Sequence, residues 1–166
     1  MNSSQLRAHE IRRRYRLTHP RDIDRVLKAE NIQVVHFPLK GRVKEVIVLN
    51  FIGLPISLER DSREAHELLA HALGHYLLHA GNQPFFHLAK ERVVAWQMEH
   101  QAWDFAFELF IPQTTLARLL RKSWSTADLR EHFEVSTDFF KRRLQSFRDE
   151  NAHTERSRFD TDTGEQ

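Results

Sequence analysis

DSREAHELLAHALGHYLLHAG, residues 61–81, reads as one helix with both ends marked. Asp61 stands where an N-cap side chain is expected, and Glu64 follows three residues later, as in a capping box. Gly81 comes just after the last periodic residue, the usual place for a left-handed C-terminal cap. Ala65, Leu68, Leu69, Ala72, Leu73, Tyr76, Leu77 and Ala80 recur at helical spacing and define a core stripe. His71, His75 and His79 flank that stripe, each four residues from the next, so they stack along one face.

Two imidazoles at i and i+4 on a rigid helix can hold one metal ion. The zinc-protease form of this pattern is H-E-x-x-H, in which the Glu is the general base. Here the five residues are His71-Ala72-Leu73-Gly74-His75, so both candidate ligands are present and Ala72 occupies the base position. A methyl group cannot take a proton from water. The chain has 11 His in 166 residues, so a chance pair at this spacing is not rare and a third ligand is needed.

The chain contains no cysteine, which excludes disulfides and thiolate metal sites. Nitrogen and oxygen ligands suit zinc and, less specifically, other divalent ions such as manganese. The formal net charge is +2, close to balance, but Arg7, Arg12, Arg13, Arg14 and Arg16 make the N-terminus basic, and Lys141, Arg142 and Arg143 form a second basic run. Such runs meet nucleic acid, an acidic partner or only solvent. No apolar run reaches the roughly 20 residues of a membrane helix, and no apolar signal segment opens the chain. The expected location is the cytoplasm, with no membrane partner.

The first 16 residues read as a polar, basic helix prone to fraying. A second helix begins at Thr18-His19-Pro20, with Pro20 in its first turn, and ends at Asn31. Ile32–Phe37 and Val43–Leu49 read as strands around a turn at Lys40-Gly41-Arg42, which suggests a hairpin, with further short strands around Phe51–Leu58. A loop then covers Asn82 to His87, and a long helix runs from about Ala89 to Phe110, stopped by Pro112.

On a helical wheel, Lys90, Gln97, His100, Gln101, Asp104 and Glu108 of that helix share a solvent side. Glu99 falls opposite, among Ala95, Trp96, Ala102, Trp103, Ala106 and Phe110. A carboxylate on an apolar face must be paired, hydrogen-bonded or metal-bound. Either it pairs with Arg63 or another Arg, or it completes a His2Glu site with His71 and His75, leaving a fourth position for water. The small residues around it permit close approach of the His-bearing helix.

Thr114–Arg121 reads as another helix. Ala127–Phe133, Glu134-Val135-Ser136 and Thr137–Phe147 form a helix–turn–helix pattern, read as a helical cap rather than a DNA reader, although direct DNA binding stays open. The expected organisation is 1–112 as one domain, 113–149 as a helical subdomain and 150–166 as a disordered polar tail. The fold class is α+β: a small antiparallel or mixed sheet packed on a helical core.

Three segments resemble the ImmA/IrrE metallo-endopeptidases. His71–His79 resembles the family's HELGHYLLH segment except at Ala72. Glu99-His-Gln-Ala-Trp-Asp-Phe-Ala106, followed by Leu109-Phe-Ile-Pro112, resembles its E-x-x-A-x-x-F-A-x-x-L-L-x-P helix. EVSTDFFKRRL, residues 134–144, resembles its C-terminal helical segment. The resemblance implies a zincin-like helical core that binds zinc through His71, His75 and Glu99. It also implies site-specific cleavage of a helix-turn-helix repressor, which derepresses stress, phage or mobile-element genes. In the implied mechanism zinc polarises the scissile carbonyl and acidifies a water whose proton the motif Glu takes. Ala72 departs from that pattern and deletes only the base. The expectation is an inactivated variant of such an enzyme. The alternatives are a natural pseudoprotease that acts as a non-catalytic antirepressor or adaptor, and a DNA-binding regulator.

Overall fold

The computed structural model describes residues 1–39, 45–79 and 92–162, with the side chains of 92–94 and 153–162 left aside. Helix α1 (Ser3–Tyr15) opens the chain with a complete capping box, in which the Asn2 side chain accepts from the Gln5 backbone N–H. Its polar sequence suggests fraying, yet Ala8 and Ile11 are buried and Arg12 donates to the Leu109 carbonyl at 2.7 Å. Tertiary contact, not helix propensity, holds it. A short 3-10 turn (Pro20–Asp22) leads into α2 (Ile23–Ala29), which buries Ile23, Val26 and Leu27.

The sheet departs from the hairpin expected between the first two strands. Strands β1 (Gln33–Phe37), β2 (Val46–Val48) and β3 (Phe51–Pro55) lie in the order β1-β3-β2. β3 runs parallel to β1 and antiparallel to β2, with Val34 and Ile47 both beside Ile52. The hairpin is therefore β2–β3, through a tight turn at Leu49-Asn50 where Leu49 adopts a positive φ of 54°. The third strand takes the centre, where it is flanked on both edges; Ile52 and Leu54 are fully buried. The expected turn at Lys40-Gly41-Arg42 lies outside the described residues.

The side-chain period of two sorts the sheet's faces. Val34, Ile47, Ile52 and Leu54 share the face toward the helices. Val35, Val46, Val48, Phe51 and Gly53 share the other, where the Phe37 ring lies across Gly53 so closely that an added Cβ would come within 2.8 Å of it. By the same alternation Glu45, one residue before β2, falls on the helix side.

Helix α3 (Arg63–Leu78) carries the His series. Its N-cap is Ser62 rather than Asp61: the Ser62 hydroxyl accepts from the Ala65 N–H. The expected cap at Gly81, with Ala80 and the loop at Asn82–His87, lies outside the described residues. Helix α4 (Arg92–Phe110) packs along α3 through Ala102, Phe105, Ala106 and Leu109, all fully buried. Helices α5 (Gln113–Arg121), α6 (Thr126–Phe133) and α7 (Thr137–Asp162) complete the chain. α7 continues as helix where residues from 150 were expected to be disordered.

Leu129, Phe133, Val135, Phe139 and Phe140 join the same core as Ala8 and Ile52. The fold is thus α+β with a mixed sheet on one side of a helical body. No described helix is long and apolar enough to cross a membrane.

Gly74 sets the spacing of α3 and α4. A Cβ there would stand 2.9 Å from the Ala102 carbonyl oxygen and 3.1 Å from its Cα. Both obstacles are backbone and cannot rotate away. Gly74→Ala is therefore expected to lower stability by roughly 1–3 kcal/mol, despite the better helix propensity of Ala. An unchanged chemical-denaturation midpoint would contradict this packing.

Candidate metal centre

His71 and His75 point from α3 toward α4, where Glu99 meets both rings. The His71 Nε2 to Glu99 Oε2 distance is 3.4 Å, and His75 Nε2 to Glu99 Oε1 is 3.2 Å. One ligand atom from each residue lies within 4.8 Å of the others. Both histidines are buried, while the Glu99 side chain keeps 50% of its surface exposed. The wheel places Glu99 on the side that faces α3; the surroundings there are less enclosed than an apolar face suggests, since nearby Trp96 is 64% exposed.

Arg63, the other partner the sequence allows for Glu99, is engaged elsewhere. It donates to both carboxylate oxygens of Glu131, at 3.2 and 2.7 Å. The contacts with His71 and His75 hold the Glu99 carboxyl well below the usual carboxylate range. For His71, burial disfavours the charged ring, but the nearby Glu45 and Glu99 carboxylates outweigh it and raise its proton affinity.

The His71 ring is held at one edge and on one face. Its Nδ1 contacts Glu45 Oε1. Trp103 stacks on its face, with centroids 4.0 Å apart and planes 19° from parallel. The guanidinium of Arg142 lies 3.7 Å over the other side of that indole. His79 continues the series but turns to the Met98 carbonyl, 3.2 Å from its Nε2.

The donor set fits a divalent cation. His71 Nε2 is buried and makes no well-aligned hydrogen bond among the described residues. Two neutral imidazole nitrogens and a carboxylate oxygen form the three-ligand set of catalytic zinc sites. Ala72, by contrast, is completely buried as a methyl group.

Two buried carboxylates near or along these helices, Glu67 and Glu108, each have partners of their own. Glu67 is one turn before His71 and accepts from the Ser136 backbone N–H at 2.6 Å and from its hydroxyl at 2.7 Å. Glu108, expected on the solvent side, is only 1% exposed. It accepts from the Gln113 N–H at 3.0 Å and from Arg143 at 3.3 Å. The wheel misplaces it because α1 packs along α4 and the Arg143 side chain of α7 reaches Glu108, facts no local pattern contains. Sequence reading missed Glu45 and Arg142 as neighbours of the site, whereas Trp103 already stood beside Glu99 on the wheel. The basic run is largely engaged inside the protein: Arg143 is buried on Glu108 and the Ile111 carbonyl, and Arg142 rests on Trp103.

These features define a candidate helix-pair metal centre on an α+β scaffold. Residues 27–145 match the peptidase M78 family, described as the IrrE N-terminal-like domain, and the chain belongs to that metallopeptidase family. No curated protein and no solved structure matches the chain.

Burial raises the Glu67 carboxyl to about 7, although the two Ser136 hydrogen bonds oppose the shift. A folded-state value above the unfolded one means that the folded protein binds the extra proton. This contribution is complete below about pH 4.5, the unfolded value, and is lost as pH rises through about 7. Denaturation from pH 5 to 8 should therefore show a stability loss of roughly 1–3 kcal/mol that Glu67→Gln removes. Equal pH slopes in the two proteins would refute the assignment.

Proposed function

We propose that this chain binds a divalent cation, zinc in the first instance, through His71, His75 and Glu99, and that its lineage cleaves a helix-turn-helix transcriptional repressor. The observation that carries the reading is the meeting of Glu99 with both imidazoles across the α3–α4 interface. When bound, the ion supplies Lewis acidity toward a peptide carbonyl and toward water. The two imidazoles would hold it, and the Glu99 carboxylate would offset part of its charge. Beside the centre, a cleft of about 520 Å³ is bordered by Trp103, Arg142, Leu58, Leu68 and Thr137, which offers an extended polypeptide both apolar and hydrogen-bonding surface.

The proton-accepting step lacks its residue. Ala72 stands where the family motif carries Glu, and Glu45, Glu67 and Glu108 are held by His71, Ser136 and Arg143. We read the chain as an inactivated peptidase that retains its metal and substrate surfaces. The same Ala72 is compatible with a second reading, a natural antirepressor that holds its partner without cutting it.

Elemental analysis should find about one zinc per chain, and none in a His71→Ala control; manganese in its place would change the ion assigned. Restoring the carboxylate by Ala72→Glu should raise cleavage of the repressor by about 100- to 10,000-fold. The cut should fall at one position, read by mass spectrometry. If the folded, zinc-loaded Ala72→Glu protein leaves candidate repressors intact, the peptidase reading fails and the binding-only reading stands.

A further inference from the structure

Glu45 lies outside every segment that resembles a peptidase motif, yet its carboxylate contacts His71 Nδ1. Both groups are largely buried, with side chains 3% and 12% exposed. The position follows from the sheet. β2 is an edge strand paired to β3, and the alternation that turns Ile47 toward the helices also turns Glu45 that way.

We propose that Glu45 is a positioning residue of the metal centre, whose carboxylate takes the Nδ1–H of His71 and so presents the bare Nε2 to the space shared with His75 and Glu99. The inference rests on the metal reading given above. A neutral imidazole can carry its proton on either nitrogen, and only the Nδ1–H form leaves Nε2 free to ligate. Trp103 fixes the plane of the ring. Stacking cannot choose between the two nitrogens, because it acts on the face of the ring. The carboxylate acts on the edge and makes that choice. Outer partners of this kind hold ligand orientation and raise ligand basicity, and their loss weakens metal binding by about 10- to 100-fold.

A simple structural ion pair makes a different prediction: removing Glu45 would lower the stability of the metal-free protein and leave zinc affinity alone. The experiment is zinc competition against a chromophoric chelator with the full chain. Parent, Glu45→Gln, Glu45→Ala and a His71→Ala control are compared. Glu45→Ala should bind zinc about 10- to 100-fold more weakly than the parent. Glu45→Gln should recover part of the loss, since its amide oxygen still accepts the Nδ1–H without the charge.

Two-bond 1H–15N spectra of the zinc-loaded parent should show the His71 proton on Nδ1. Equal zinc affinity in Glu45→Ala and the parent overturns the proposal, and so does a His71 proton found on Nε2. Should Glu45→Ala fail to fold, Glu45→Gln and the parent spectrum decide, with parental affinity in Glu45→Gln counting against the role. A parent chain that binds no zinc overturns the metal reading itself and this inference with it. Tight zinc binding that is indifferent to Glu45 overturns only the inference.

Discussion

The close approach of α3 and α4 at Gly74 and Ala102 is the constraint on which the rest of the structure depends. Backbone meets backbone there, with no room for a methyl group. That spacing lets a glutamate side chain from α4 reach two rings on α3. A longer separation would leave His71 Nε2 buried without a counterpart, which is costly in an apolar interior. The alanines at 102 and 106 extend the same shallow contact along α4, and Phe105 fills the space beside Gly74. Core packing and site geometry are therefore one requirement.

The acidic side chains around the centre are sorted by partner. Glu67 joins α3 to the start of α7 through Ser136, and Glu108 joins α4 to the middle of α7 through Arg143. Glu45 joins the sheet to His71. Among the described residues Glu99 alone faces both imidazoles. Buried carboxylates with fixed donors are poor substitutes for a mobile base, because moving them would strand a donor or a charge.

Much of the helical part is legible in the chain itself. The His spacing and the odd register of Glu99 are local periodicities, and they point to the three side chains that the fold brings to one place. The sheet is not legible in that way. The order β1-β3-β2 depends on which strand can be covered on both edges, a property of the assembled layers rather than of any strand. Glu45 was missed for the same reason, since its neighbour is set by sheet order. Glu108 shows the converse error: its own helix marks it as a solvent residue, and only neighbours from elsewhere in the chain, α1 and Arg143, make it a buried one. Ser62 in place of Asp61 is a smaller case, in which two adjacent capping side chains compete and the one with extended backbone and a hydroxyl near Ala65 wins.

The position of Glu45 beside a three-residue edge strand has a consequence for how the chain assembles. Neighbouring residues in a strand point to opposite faces, so a slip of one residue between β2 and β3 would swing this acid outward and put Val46 against the imidazole. The mispaired sheet would lose the polar anchor and bury a valine at a polar edge. A single carboxylate thus serves as an alignment peg that makes the correct pairing the only comfortable one.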